Sequence, residues 1–221
     1  METATSAETA QHSSRRGKAI GIFGGAFSPF HNGHLRLAIE ALERLHLDQV
    51  RLVPTAHPMH RAEAAISAQK RLDWIRLAIE GERRLVADDS EVCREGPSYT
   101  VETLAQLAEK FPQSRLVLLI GADAFSHFHT WHRWQAILDL ADLVVVKRPR
   151  SRLQAPPEAA EALEGRYQTL DIPLLDISST LLRHKLRKGL SLRGLMPQPI
   201  LERLTAADLA ALTHHENAST H

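Results

Sequence analysis

Sulfur chemistry is almost absent from this chain. Cys93 is the only cysteine among 221 residues, so no internal disulfide can form and a thiolate metal cluster is excluded. That scarcity fits a reducing compartment, and the expected location is the cytoplasm. Long apolar runs are missing too. None approaches the roughly 20 residues a helix needs to cross a bilayer, so no membrane is an expected partner. Excess charge is lacking as well: 27 Lys and Arg stand against 26 Asp and Glu, a net of +1. Proteins that coat nucleic acid carry a broad basic excess, so nucleic acid is not expected either. A small anion needs only a local cluster of donors, which net charge does not exclude. Two glycine motifs are also absent. Neither G-x-G-x-x-G nor the Gly-Lys-Ser/Thr of a P-loop occurs where a strand meets a helix, so neither a conventional dinucleotide fingerprint nor a Walker site is indicated.

What is present is an ordinary globular composition, 43% hydrophobic and 24% charged, at a length suited to one α/β domain. Residues 1–17 are rich in Ser, Thr, Ala, Glu and Gln without an apolar signal core, and are expected to be a disordered tail. Apolar runs ending in glycine or proline read as buried strands: Lys18–Gly25, Val50–Pro54, Arg84–Ala87, Arg115–Ile120 and Leu143–Val146. Helical spacing runs from Gly33 through Leu35, Ala38, Ile39, Leu42 and Leu45. It recurs over 66–79, 99–111 and about 131–140. Strands alternating with helices predict a Rossmann-like, doubly wound parallel sheet with helices on both faces. Ligands of such sheets bind beyond the carboxyl ends of the strands, where strand order reverses. Residues 206–221 are expected to form a polar C-terminal tail.

Two constellations carry chemistry. Gly24-Gly25-Ala26-Phe27-Ser28-Pro29-Phe30-His31-Asn32-Gly33-His34 follows a strand and opens a helix. Glycine lets main chain approach a ligand, and a helix start offers unpaired N–H groups with partial positive charge. His31 and His34 fall at that end, where imidazole N–H groups can donate to phosphate oxygens. The plain alternative is a strand–helix turn with two surface histidines. Asp176-Ile177-Ser178-Ser179-Thr180-Leu181-Leu182-Arg183 is the second. Alone it reads as a well-capped helix with Leu181, Leu182, Leu186 and Leu190 along its apolar side. As an anion site, its hydroxyls and first-turn N–H groups would hold phosphate, with Arg183 forking onto it.

The first segment resembles the G-G-x-F-x-P-x-H-x-G-H signature of the nucleotidyltransferase superfamily, and the second resembles its I-S-S-T-x-x-R signature. Together they are similar to bacterial nicotinate-nucleotide adenylyltransferases. Pro97–Leu104 resembles that family's S-Y-T-x-x-T-L segment. Gly121-Ala122-Asp123 with Thr130-Trp131-His132 resembles G-x-D…T-W, and Val146–Pro149 resembles its basic strand end. The likeness spans residues 18–204 and makes 18–205 the nucleotidyltransferase domain. Three positions depart from the pattern: Ser28 replaces a usual Asp, Arg61 a usual Lys, and His132 a frequent Tyr.

The resemblance implies transfer of an adenylyl group from ATP to nicotinate mononucleotide, giving deamido-NAD and pyrophosphate in NAD biosynthesis. His31, His34 and Arg183 would be the catalytic residues. Gly24, Gly25, Gly121, Asp123, Ile177, Ser178 and Ser179 would join them around ATP. Gly25, Ala26, Phe27, Arg61, Thr100, Val101, Trp131, His132 and Arg148 would meet the mononucleotide. Mg²⁺ would arrive with ATP, without a protein-built metal site. The histidines at 57, 60, 127, 129 and 132 lack the fixed carboxylate or thiolate partners of a zinc site and read as loop residues. Two alternatives stay open. One is a nucleotidyltransferase acting on nicotinamide mononucleotide or phosphopantetheine. The other is a non-catalytic regulator that binds adenine nucleotides.

Overall fold

A computed structural model describes residues 17–57, 64–147, 153–173 and 175–214. Its strands are β1 (Ala19–Gly25), β2 (Gln49–Pro54), β3 (Leu85–Ala87), β4 (Arg115–Gly121), β5 (Asp142–Lys147) and β6 (Tyr167–Asp171). The longer helices are α1 (Asn32–Arg44), α2 (Ala68–Ala78), α3 (Thr100–Lys110), α4 (Trp134–Leu140), α5 (Ser179–Arg187) and α6 (Ala206–His214). All six strands pair in parallel, in the order β3-β2-β1-β4-β5-β6.

The period of two along each strand divides the core between two faces. Ile20 and Ile22 of β1 join Leu116, Leu118 and Ile120 of β4 and Leu143 and Val145 of β5. Val101, Leu104 and Leu107 of α3 and Ile137 of α4 cover them. Phe23, Val117, Leu119 and Val144 point the other way, against Ala38, Ala41 and Leu42 of α1 and Trp74 and Ile75 of α2. This is the doubly wound sheet that the alternating pattern predicts. The chain builds β2 and β3 on one side of β1, then crosses to β4 on the other. Strand order therefore reverses between β1 and β4. Gly24-Gly25 and Gly121 lie at the carboxyl ends of those two strands, the place where ligands of such sheets bind.

Four expectations need correction. A sixth strand exists: Tyr167–Asp171 pairs with β5 at the sheet edge, and every one of its residues is half-buried or exposed. A wet edge needs no continuous apolar run, so the pattern of buried strands passes over it. The helix expected from about Trp131 begins instead at Trp134. Arg133 adopts φ 52, ψ 43, a left-handed conformation no helix can contain, and Trp131 and His132 lie in the loop before it. The helix after Ser178 stops at Arg187. Gly189 takes φ 65, and Leu190, 49% exposed, leaves the apolar side. Finally, residues 206–214 are not a tail. They form α6, whose Leu212 is fully buried in the α1–α2 face and whose Asp208 pairs with Lys70 at 3.2 Å. Its apolar run, Leu209-Ala210-Ala211-Leu212, is short and is followed by polar residues, so a reading by composition merges it with the tail.

Candidate active site

The turn after β1 is shaped by its aromatic residues. Phe27 has φ 46, in the left-handed region that costs a non-glycine residue roughly 1–2 kcal/mol. Burial of its ring offsets that cost: Phe27 packs edge-on against Phe23 and lies 5.4 Å from Phe30 and 4.9 Å from His34 between ring centres. The ring thus supports the turn from beneath. Of the residues predicted to line the mononucleotide, Phe27 has its side chain in the core, whereas Ala26 is exposed and Gly25 half-buried. Gly25 must be glycine, because a Cβ would sit 2.9 Å from the Phe27 ring. Gly33 is constrained in the same way, with His31 Nδ1 at 3.0 Å and the Ile177 carbonyl at 3.4 Å from any Cβ.

His31 and His34 cap each other. His31 Nδ1 accepts the main-chain N–H of His34, and His34 Nδ1 accepts the N–H of His31, both at 3.3 Å. This reciprocal box is usually made by Ser or Thr with Glu. Here the two rings stack, 3.5 Å between centres and 16° apart. A nitrogen that accepts carries no proton, so each neutral ring keeps its N–H at Nε2. Burial pushes the His31 imidazole down to about 4. His34 is held well below its ordinary value by burial first and the neighbouring His31 second. At neutral pH the pair is two uncharged rings with one N–H donor each. His31 is almost wholly buried and His34 half-buried.

The second constellation closes on the first across about 150 residues. Ser178 Oγ caps α5 by accepting the Leu181 N–H at 3.1 Å. Ser179 Oγ donates to the Pro29 carbonyl at 2.9 Å. Arg183, 7% exposed, donates from Nη1 to the Ser28 carbonyl at 2.7 Å and from Nη2 to Thr180 Oγ1 at 3.2 Å. Burial and the nearby Arg187 lower its pKa. The expected open fork is therefore turned onto the turn between β1 and α1. Arg183 and Ser179 fix the histidine segment and bring the first turn of α5, with its unpaired N–H groups, beside it.

Beyond β4, Gly121 is half-buried with open space where a Cβ would stand, and Asp123 is exposed in a one-turn helix over Ala122–Phe125. Thr100 and Val101 open α3; the Val101 side chain is core, so only its main chain can face a ligand. Trp131 is half-buried against Phe128, 5.3 Å between ring centres. The exposed His132 ring stacks on Tyr99 at 4.2 Å and 27°, joining the loop before α4 to the start of α3. Arg61 and Arg148 lie outside the described residues. Three contributors escape sequence reading: Asn32, which bonds the Gly194 and Leu195 carbonyls, and the buried Arg71 and Glu91. For Arg71 there was a signal. It lies three and four residues before Trp74 and Ile75, on the apolar stripe of α2.

Comparison with known proteins agrees with this geometry. The model of the family described as cytidylyltransferase-like matches residues 22–185. A Marinobacter nauticus protein named "Probable nicotinate-nucleotide adenylyltransferase" is 43% identical over 201 residues, covering 84% of this chain and 93% of its own. One of the same name from Hydrogenovibrio crunogenus is 40% identical over 194 residues, covering 83% and 93%. Among solved structures, Plasmodium falciparum nicotinic acid mononucleotide adenylyltransferase, complexed with APC or with NaAD, superposes with a TM-score of 0.68. Its sequence identity is 17%, and the match covers 87% of this chain and 98% of that one, a likeness of fold. The chain belongs to the cytidylyltransferase-like family and, within it, to the nicotinate-nucleotide adenylyltransferases.

Proposed function

We propose that this chain transfers the adenylyl group of MgATP to nicotinate mononucleotide, releasing pyrophosphate and forming deamido-NAD. A phosphate oxygen of the mononucleotide attacks the α-phosphorus of ATP, and the bond from that phosphorus to the pyrophosphate oxygen breaks. The nucleophile is already ionised at neutral pH, so no side chain has to remove a proton. Catalysis then rests on alignment and on donors prepared for charge at the transferring phosphorus and the leaving group.

The observation that carries this reading is the reciprocal cap of His31 and His34. It leaves two uncharged N–H donors at the start of α1, after the turn that follows β1. Such donors bind phosphate oxygens without a positive charge that would itself need solvating. The first turn of α5, with Ser178, Ser179 and Ile177, would take the β- and γ-phosphates. Arg183 would add positive charge while holding the turn at Ser28. Gly24 and Gly121 would let main chain meet the nucleotide, and Asp123 would bond the ribose. Among the described residues no group of three or more His, Cys, Asp or Glu could hold a metal ion; Mg²⁺ would enter on the ATP phosphates as part of the substrate.

On the other side, Ala26, Thr100, Trp131 and His132 would enclose the pyridine, with Arg61 and Arg148 toward its phosphate. The N–H groups of the first turn of α3 would receive the carboxylate of the acid substrate. An amide there would set its own NH₂ against donors, costing on the order of 10²–10⁵ in kcat/KM. The test is pyrophosphate release from MgATP with nicotinate mononucleotide, nicotinamide mononucleotide or phosphopantetheine. Turnover with the acid form at the expected preference supports the reading. Comparable kcat/KM for the two mononucleotides, or turnover with phosphopantetheine alone, would overturn it.

A further inference from the structure

A single buried guanidinium joins the turn after β1, the chain after β2 and the residues before α2. Arg71, 2% exposed, donates from Nη1 to the Ala26 carbonyl at 2.7 Å and from Nη2 to the Thr55 carbonyl at 2.7 Å. Its Nε donates to the Ile66 carbonyl at 2.9 Å. Ala26 belongs to the turn after β1. Thr55 follows β2, and its own N–H returns to the Gly25 carbonyl at 2.9 Å. Ile66 precedes the start of α2.

A second buried group continues the framework toward α3. Glu91, 8% exposed, accepts from Thr103 Oγ1 at 2.9 Å, in the first turn or so of α3. Ser98 Oγ accepts the N–H groups of Ala56 and His57 at 3.2 and 3.1 Å, and the Ser98 N–H donates to the His57 carbonyl at 3.0 Å. Arg71 thus meets the Thr55–His57 segment at the Thr55 carbonyl, and Glu91 meets it through the Ala56 N–H and the Ser98 hydroxyl. Their charges sense each other: burial lowers Arg71 to about 10, and Glu91 works against that fall. Arg71 stays charged at neutral pH.

We propose that Arg71 and Glu91 are positioning residues for the mononucleotide, setting the distances between the turn at Ala26, the chain at Thr55–His57 and the start of α3. Of these, the turn at Ala26 and the chain at Thr55–His57 lie outside any strand or helix, so their places relative to α3 depend on side-chain bonds. A planar guanidinium with donors in a rigid fork fixes all three carbonyls at once, which a lysine ammonium cannot reproduce. Neither residue bonds His31, His34 or α5 among the described contacts. Loss of the framework should therefore fall on the mononucleotide more than on ATP.

This inference rests on the adenylyl-transfer reading above. The experiment compares the full chain with Arg71→Lys and Glu91→Gln, measuring KM for each substrate, kcat and Tm by pyrophosphate release and thermal melting. Arg71→Lys should raise KM for nicotinate mononucleotide roughly tenfold while KM for ATP changes by less than about threefold. Glu91→Gln keeps the shape and an acceptor for Thr103, so it tests the framework should Arg71→Lys fail to fold. It should move the same KM in the same direction, by roughly threefold. An equal rise in both KM values, a fall in kcat alone, or a lowered Tm with unchanged kinetics would overturn the positioning role. A wild-type chain with no turnover on nicotinate mononucleotide would overturn the function itself, and the inference with it.

Discussion

The end of the crevice proposed for phosphate and the end proposed for the pyridine are built differently. At the end proposed for phosphate, His31 and Arg183 are buried, His34 and Ser179 half-buried, and all four are bonded to one another or to main chain. His31 and His34 share a cap, and Ser179 and Arg183 lock the Ser28-Pro29 carbonyls. At the pyridine end Trp131 is half-buried, and His132 is exposed in a loop that reaches α3 only through its stack on Tyr99. The difference follows from the chemistry. A transferring phosphate has the same shape for every substrate, so its donors can be fixed in advance. A base with a variable substituent is recognised by parts that distant segments bring together, and under the proposed function the choice between related mononucleotides would be made there.

The comparison breaks most visibly at His34. His34→Ala removes a prepared donor and half of the reciprocal cap, and should lower kcat by about 10²–10³-fold. Loss of one cap should cost only about 1 kcal/mol of stability. Steady-state kinetics beside a thermal melt checks both; near-normal kcat would leave the histidines a purely structural pair. Arg183→Ala comes next. It orphans the Ser28 carbonyl and removes charge near the phosphates, and should lower kcat/KM for ATP by roughly 2–3 kcal/mol. Arg183→Lys should recover part of that, since an ammonium can meet Ser28 or a phosphate but not hold the planar geometry. Complete recovery would reduce Arg183 to a point charge. The smallest effect is expected at the pyridine end. Trp131→Ala should weaken both mononucleotides by about tenfold and leave the acid preference standing, because a stacked ring does not read the substituent. A collapse of the preference, measured as the ratio of the two kcat/KM values, would move the reading of the carboxylate onto Trp131 itself.

The same contrast decides what could be read in advance. The sheet and the two segments proposed to meet phosphate were legible as local structure because each depends on local pattern: an apolar run ending in Gly24-Gly25, a helix start with two histidines, a serine cap before α5. The reciprocal cap was not, since it depends on which ring nitrogen meets which N–H. Nor was the turning of Arg183 onto Ser28, a contact between residues 155 apart. Glu91 escaped for a related reason: in sequence it looks like a solvated charge; Arg71 stands on the apolar stripe of α2, but only the fold supplies its three carbonyl partners. Edge strand β6 carries no continuous apolar run, and helix α6 only the short Leu209-Ala210-Ala211-Leu212; both are fixed by the neighbours they pack against.

The state of the histidine pair is the centre of the account. Because His31 and His34 bind a proton less readily folded than unfolded, the unfolded chain takes up more protons between the ordinary value of 6.5 and about 4. Stability should accordingly fall as pH drops through that window and be level above it. The most direct measurement is ¹⁵N NMR of the two imidazoles across pH. The account predicts an unprotonated Nδ1 and a protonated Nε2 on both rings at pH 7, with His31 titrating near about 4. A proton on Nδ1 of either ring, or a midpoint near 6.5, would contradict it.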